Sequence, residues 1–103
     1  MTCLEHVRYE DLSGDVRGFL RSRPGLIGVG QDVFKKSAEG TYLYGTAVGK
    51  GMQAYVYRIA RHGGVPVAWD VVRVPFARLR DCPHEEVVRA AIEENAWTNY
   101  TGG

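Results

Sequence analysis

Residues 53–74 read QAYVYRIARHGGVPVAWDVVRV, two β-prone runs on either side of a Gly63-Gly64 pair. Glycine reaches positive φ without steric penalty, and two-residue hairpin loops require positive φ. The pair therefore predicts an antiparallel hairpin with Gly63 and Gly64 as its loop. Loop length sets register, so His62 is expected opposite Val65, Ala60 opposite Val67, Arg58 opposite Trp69 and Val56 opposite Val71. That face is valine-rich and reads as core, with Arg58 stacked on Trp69 as its one charged member. The other face sets Tyr55, Tyr57, Ile59 and Arg61 against Val72, Asp70, Ala68 and Pro66. It is too apolar to be plain solvated surface, and is expected either to be left for a partner or to be covered when one helix packs on each face.

Two further strand-like runs precede the hairpin, at 26–36 and 41–48, with turn chemistry at 38–40 (AEG) and 49–51 (GKG). Tyr42 and Tyr44 alternate in the second run and extend the amphipathic face. Upstream, Leu12, Val16, Phe19 and Leu20 follow the i, i+4, i+7, i+8 stripe of a helix, capped by Asp11 or Ser13 and stopped by Pro24-Gly25. Downstream, DCPHEE at 81–86 opens a second helix with Pro83 in its first turn. Glu85 and Glu86 complement the helix dipole, Glu85 and Arg89 form an i, i+4 pair, and Val88, Ala91, Ile92 and Ala96 give a buried stripe. The expected architecture is α+β in two layers: an N-terminal helix, a four-stranded antiparallel meander and a C-terminal helix. A chain of 103 residues suits one domain spanning 1–103, with 1–10 and 99–103 as its loose ends.

Composition narrows the class. Apolar residues make up 45% and charged residues 24%, which suits a folded globular chain and argues against disorder. No apolar run approaches a membrane span and no secretory start is visible, so a cytoplasmic setting and no membrane partner are expected. Two cysteines do not make a disulfide framework. A net charge of +1 gives no global attraction to nucleic acid, yet residues 50–80 gather Lys50, Arg58, Arg61, Arg73, Arg78 and Arg80 against Asp70.

Several motifs carry possible chemistry. A phosphate loop needs G-x-x-x-x-G-K-[ST], but Gly45 and Gly49-Lys50 have the wrong spacing and Gly51 stands where a hydroxyl belongs. No cofactor is expected. KGMQAYVY starts like an aromatic RNA-binding strand, yet Met52 and Ala54 occupy the positions where rings should stack bases. Cys3, His6, Cys82 and His84 hold the donor types of structural zinc in an unusual spacing, a minor candidate beside an expectation of no metal. Cys82 at a helix start, with His84 two residues on, lacks an orienting acid for nucleophilic work. The closing Gly102-Gly103 shares only those residues with ubiquitin-like and sulfur-carrier proteins and reads as a frayed end. In element order alone the chain is similar to small ribonuclease toxins. For an RNA-cleaving site the candidates are His62 for proton transfer, with Arg61, Arg58 and Tyr57 around the developing phosphate charge.

The leading expectation is a non-enzymatic binding module. It engages a protein partner or a second copy through Tyr42, Tyr44, Tyr55, Tyr57 and Arg61, residue types enriched at interfaces. The alternative is nucleic-acid binding through Lys50, Arg58, Arg61, Arg73, Arg78 and Arg80. It suffers from a register that sends Arg58 and Arg61 to opposite faces.

Overall fold

The computed structural model describes residues 3–23, 25–36, 42–63 and 65–99. In chain order its elements are β1 (Leu4–Arg8), α1 (Gly14–Arg21), β2 (Leu26–Lys36), β3 (Tyr42–Gly49), β4 (Gln53–His62), β5 (Val65–Val74), α2 (Phe76–Asp81), α3 (His84–Glu94) and β6 (Thr98–Asn99). The strands form one antiparallel sheet ordered as they occur in the chain. The class is α+β, as expected, and the four central strands fall where the alternation put them.

Among the described residues the sheet has six strands, however, where four were expected. Leu4 and Val7 are half-buried while Glu5, His6 and Arg8 are exposed, so β1 is an edge strand drawn from the expected loose end. The helix layout also differs. β1 precedes α1, α2 and α3 follow the meander, and β6 closes the chain's described part. The expected turn at 38–40, residue Gly64 and residues 100–103 lie outside the described residues.

Local chemistry explains the helix limits. Ser13 caps α1, its Oγ accepting from the Val16 amide at 3.3 Å, while Asp11 pairs instead with Arg8 Nε at 3.1 Å. Pro83 sits just before α3, where no helical amide is needed. Asn95 ends α3 in the left-handed conformation at φ 55. Ala96 thus lies beyond the helix and exposed, and Val87 joins Val88 and Ala91 on the buried face. Glu85 and Arg89 pair as expected, at 3.7 Å.

Register is the main correction. His62 does face Val65, and Arg61 faces Pro66, but Ala60 then faces Ala68. Val67 is left over as the extra residue of a β-bulge, and every later pair slips by one. Ile59 now faces Trp69, Arg58 faces Asp70, Tyr57 faces Val71 and Val56 faces Val72. The slip gives the sheet two apolar faces in place of one.

Each face has its own helix, making three layers in place of two. Against α1 pack Tyr57, Ile59, Trp69, Val71, Leu43 and Val33, with Leu12, Val16 and Leu20 from the helical segment. Tyr57 stacks on Trp69 with centroids 4.9 Å apart and planes 15° off parallel; such a pair adds about 0.5–1.5 kcal/mol beyond its buried area. Against α3 pack Phe34, Tyr44, Val56 and Val72.

Candidate interaction surface

The tyrosines expected to share one face are divided. Tyr42 and Tyr44 lie on the α3 side with Arg58, whereas Tyr55, Tyr57 and Arg61 lie on the α1 side. Tyr57 is wholly buried, its ring folded across Gly45 of the neighbouring strand. Its hydroxyl has no hydrogen-bond partner among the described residues, and burial pushes its pKa well above the ordinary 10.0. Tyr44 is buried as well, and Tyr42 and Tyr55 are half-buried.

Arg58 is committed to structure. Its guanidinium lies 4.8 Å from the Tyr42 ring centroid and 4.8 Å from that of Trp97, and Nη2 donates to Asp70 at 2.9 Å. The stacking partner expected from sequence was Trp69; the bulge puts Trp69 on the other face. The residues considered for RNA cleavage do not converge. His62 is exposed at the hairpin end, Tyr57 is sealed under α1, and Arg58 and Arg61 project to opposite sides.

Of the metal candidates, the structure brings two together. His6 Nε2 and Asp32 Oδ1 are 3.0 Å apart, and His84 Nδ1 lies 3.8 Å from Asp32 Oδ2. Cys3 is exposed and Cys82 packs against the α3-side core. Among the described residues no group of three or more His, Cys, Asp or Glu stands in position to hold a metal ion. Thr46 completes the polar cluster, its Oγ1 lying 3.5 Å from His84 Nδ1. His84 Nε2 faces the Leu79 carbonyl at 3.2 Å, so Nε2 carries the proton and Nδ1 meets both Thr46 and Asp32. A nucleophile–base–acid relay needs hydroxyl and carboxylate on opposite nitrogens. The cluster therefore lacks relay geometry. Sequence reading missed Asp32 and Thr46, since neither sits in a motif.

The six expected cations also part company. Arg80 is held twice by Asp81, at 2.8 and 3.0 Å, which raises the pKa of Arg80 and lowers that of Asp81. Arg78 is exposed on α2. Lys50 and Arg73 converge on one end of the sheet, where Leu26 pairs with Gly49, Tyr55 pairs with Arg73, and the Lys50 amide donates to the Gly25 carbonyl at 3.1 Å. Arg21, at the end of α1, lines a hollow with Leu26 and Ile27 at this same end.

That end also shows two of the most exposed large apolar residues. Ile27 is 64% exposed because it is the extra residue of a bulge between Leu26 and Gly28. Met52 is 55% exposed and follows Gly51 in a tight turn where both are left-handed, at φ 59 and φ 71. Left-handed backbone suits Gly51 but costs a side-chain residue about 1–2 kcal/mol. Three of the segments at this end, 21–29, 47–54 and 72–77, contain Arg21, Arg23, Lys50 and Arg73 and no Asp or Glu, while Tyr9, followed by Glu10 and Asp11, also borders the hollow.

No protein-family model, curated protein or solved structure matches the chain. Among the described residues no helix is long and apolar enough to cross a membrane.

Proposed function

We propose that this protein is a non-enzymatic interaction module, and that it engages an acidic partner protein through the sheet end carrying Ile27, Met52, Lys50 and Arg73. One observation carries the reading: Ile27 and Met52 are turned into solvent by a bulge and a left-handed turn, in segments 21–29 and 47–54 that carry cations and no acid. Methionine and arginine are favoured at interfaces, and a single-signed rim steers a partner of opposite charge. The tyrosines first expected to form the contact are mostly consumed by the two cores. We place the module in the cytoplasm, where Cys3 and Cys82 would stay reduced.

Nucleic acid is the second reading, favoured by the convergence of Lys50 and Arg73. Single strands are gripped largely by stacking bases on aromatic rings. The exposed apolar groups at this end are aliphatic, which ranks that reading lower.

The test uses fluorescence anisotropy with an alternating Glu-Leu peptide, single-stranded DNA and duplex RNA, at about 50 and about 200 mM salt. The peptide is expected to bind, and the double variant Ile27→Asp, Met52→Asp to weaken it about tenfold, near 1.4 kcal/mol. Strand binding that ignores this variant but collapses in Lys50→Glu, Arg73→Glu would turn the reading to nucleic acid. Cleaved strands on a denaturing gel would make the protein an enzyme and end the proposal.

A further inference from the structure

On the α3 side of the sheet, α2 does not pack flush against β2 and β3. A groove of about 370 Å³ runs between them, bounded by Gly28, Gly30, Thr46 and Val48 on the sheet and by Phe76, Leu79 and His84 opposite. Its emptiness has a sequence cause. A β-carbon at Gly28 would meet nothing within 4 Å, so the missing side chain leaves open room. At Gly30 a β-carbon would instead run into Thr46 Oγ1, so glycine there preserves the space around that hydroxyl.

The groove's polar groups are few and gathered on one side. Thr46 is 2% exposed, and among the described residues its hydroxyl meets His84 Nδ1, at a long 3.5 Å. The Leu79 carbonyl fixes the imidazole so that Nδ1, an acceptor, faces Thr46. When Thr46 donates to Nδ1, its oxygen keeps an acceptor site of its own. Among the described residues Arg80 is the one Arg, Lys, Asp or Glu lining the groove, and Asp81 already occupies it with two hydrogen bonds. An apolar trough with a single buried hydrogen-bonding point is the usual form of a small-molecule site.

We infer that this groove binds a small neutral molecule with an apolar body and one hydroxyl or N–H donor, directed at the Thr46 hydroxyl oxygen that His84 orients. Uncharged aromatic alcohols and indoles have that chemistry. Among the described lining residues a carboxylate meets only Arg80, already paired with Asp81, and an ammonium meets no carboxylate, Asp32 lying behind His84 at 3.8 Å from Nδ1. The groove borders the basic sheet end, sharing Gly28, Val48 and Phe76 with its segments, but its recognition rests on Thr46 and its test reads neutral small molecules, so either assignment can fail without the other.

The experiment is a titration of the full chain with indole, phenol, toluene and benzoate, followed by two-dimensional amide NMR. Indole or phenol should shift the amides of Gly28, Gly30 and Thr46 in a saturable way, with toluene weaker and benzoate silent. Gly28→Val fills the open room; it should abolish the indole shifts while its spectrum stays folded. Thr46→Val should weaken indole about tenfold and leave toluene unchanged. If indole and phenol saturate nothing, or if Gly28→Val binds indole as the parent does, the assignment is wrong. Equal affinity for indole and toluene would remove Thr46 and His84 from recognition and overturn the ligand class.

Discussion

The two faces of the sheet are closed by different chemistry. On the α1 side the closure is aromatic and aliphatic, built on the stacked Tyr57 and Trp69 with Leu12, Val16 and Leu20 above them. On the α3 side, valines under α3 share the face with a charge clamp, Arg58 between Tyr42 and Trp97, and with the Asp32–His84–Thr46 cluster. The contrast teaches what each side can tolerate. An apolar jigsaw fails by shape, whereas a clamp of charge and rings fails piecemeal.

The largest effect is expected from Gly45→Ala. The added methyl would run into the Tyr57 ring and hydroxyl, and that ring is sealed within the core. Overpacking of this kind costs roughly 2–3 kcal/mol, a fall in Tm of about 10 °C for a domain of this size. Pairing the change with Tyr57→Leu should recover part of the loss in thermal melts followed by circular dichroism. A single variant melting with the parent would show that the α1 face is not shape-limited.

Arg58→Met probes the other side and is expected to cost less, about 1–2 kcal/mol. It removes two ring contacts of roughly 0.5–1 kcal/mol each and a half-buried ion pair. Because the clamp holds Trp97 next to β6, amide exchange at Thr98 should quicken more than exchange in β4. Uniform quickening across the sheet would contradict a local clamp.

The smallest effect sharpens the contrast through pH. Tyr57→Phe keeps the ring and deletes a buried hydroxyl without a partner, so stability near neutrality should hold or rise by up to about 1 kcal/mol. The folded pKa of Tyr57 lies above its ordinary 10.0 because burial disfavours the phenolate. The unfolded chain therefore loses this proton first as pH rises, and the contribution of Tyr57, full below pH 10, is lost as pH climbs through the folded value. Urea melts from pH 8 to 11 should show the parent falling faster than the variant above about pH 10. Parallel curves would mean that the phenolate is solvated in the folded chain and that burial does not raise the pKa of Tyr57.

The legible parts of the fold were those with local causes. Alternation in 26–36 and 53–74 marked the strands, and Ser13 with its apolar stripe marked α1. What was not legible depended on neighbours brought in from elsewhere. The Gly-Gly loop specifies only its nearest pairs, and VPVA at 65–68 bears no mark that Val67 will be squeezed out. That single residue moved Trp69 to the α1 face, while the β3–β4 register, with Tyr44 opposite Arg58 and Tyr42 opposite Ala60, ended the idea of one tyrosine surface. LEHVR is too short and too charged to show a period before β2 lies beside it, and FARLRD has only Phe76 and Leu79 to suggest a helix. Within the candidate surface Lys50 and Arg73 were readable as cations. Ile27 and Met52 were not readable as its apolar centre, because their exposure comes from backbone geometry.

The order of strands has a consequence for synthesis. Each strand's partner is its neighbour in the chain, so hairpins can close one after another on the microsecond scale as they emerge. α1 is different, because its platform includes β5, which is made much later. On the ribosome, Leu12, Val16 and Leu20 are only partly sheltered by β2–β4 until Trp69 and Val71 have followed them out. During translation, the first helix made is the last part of its face to be covered.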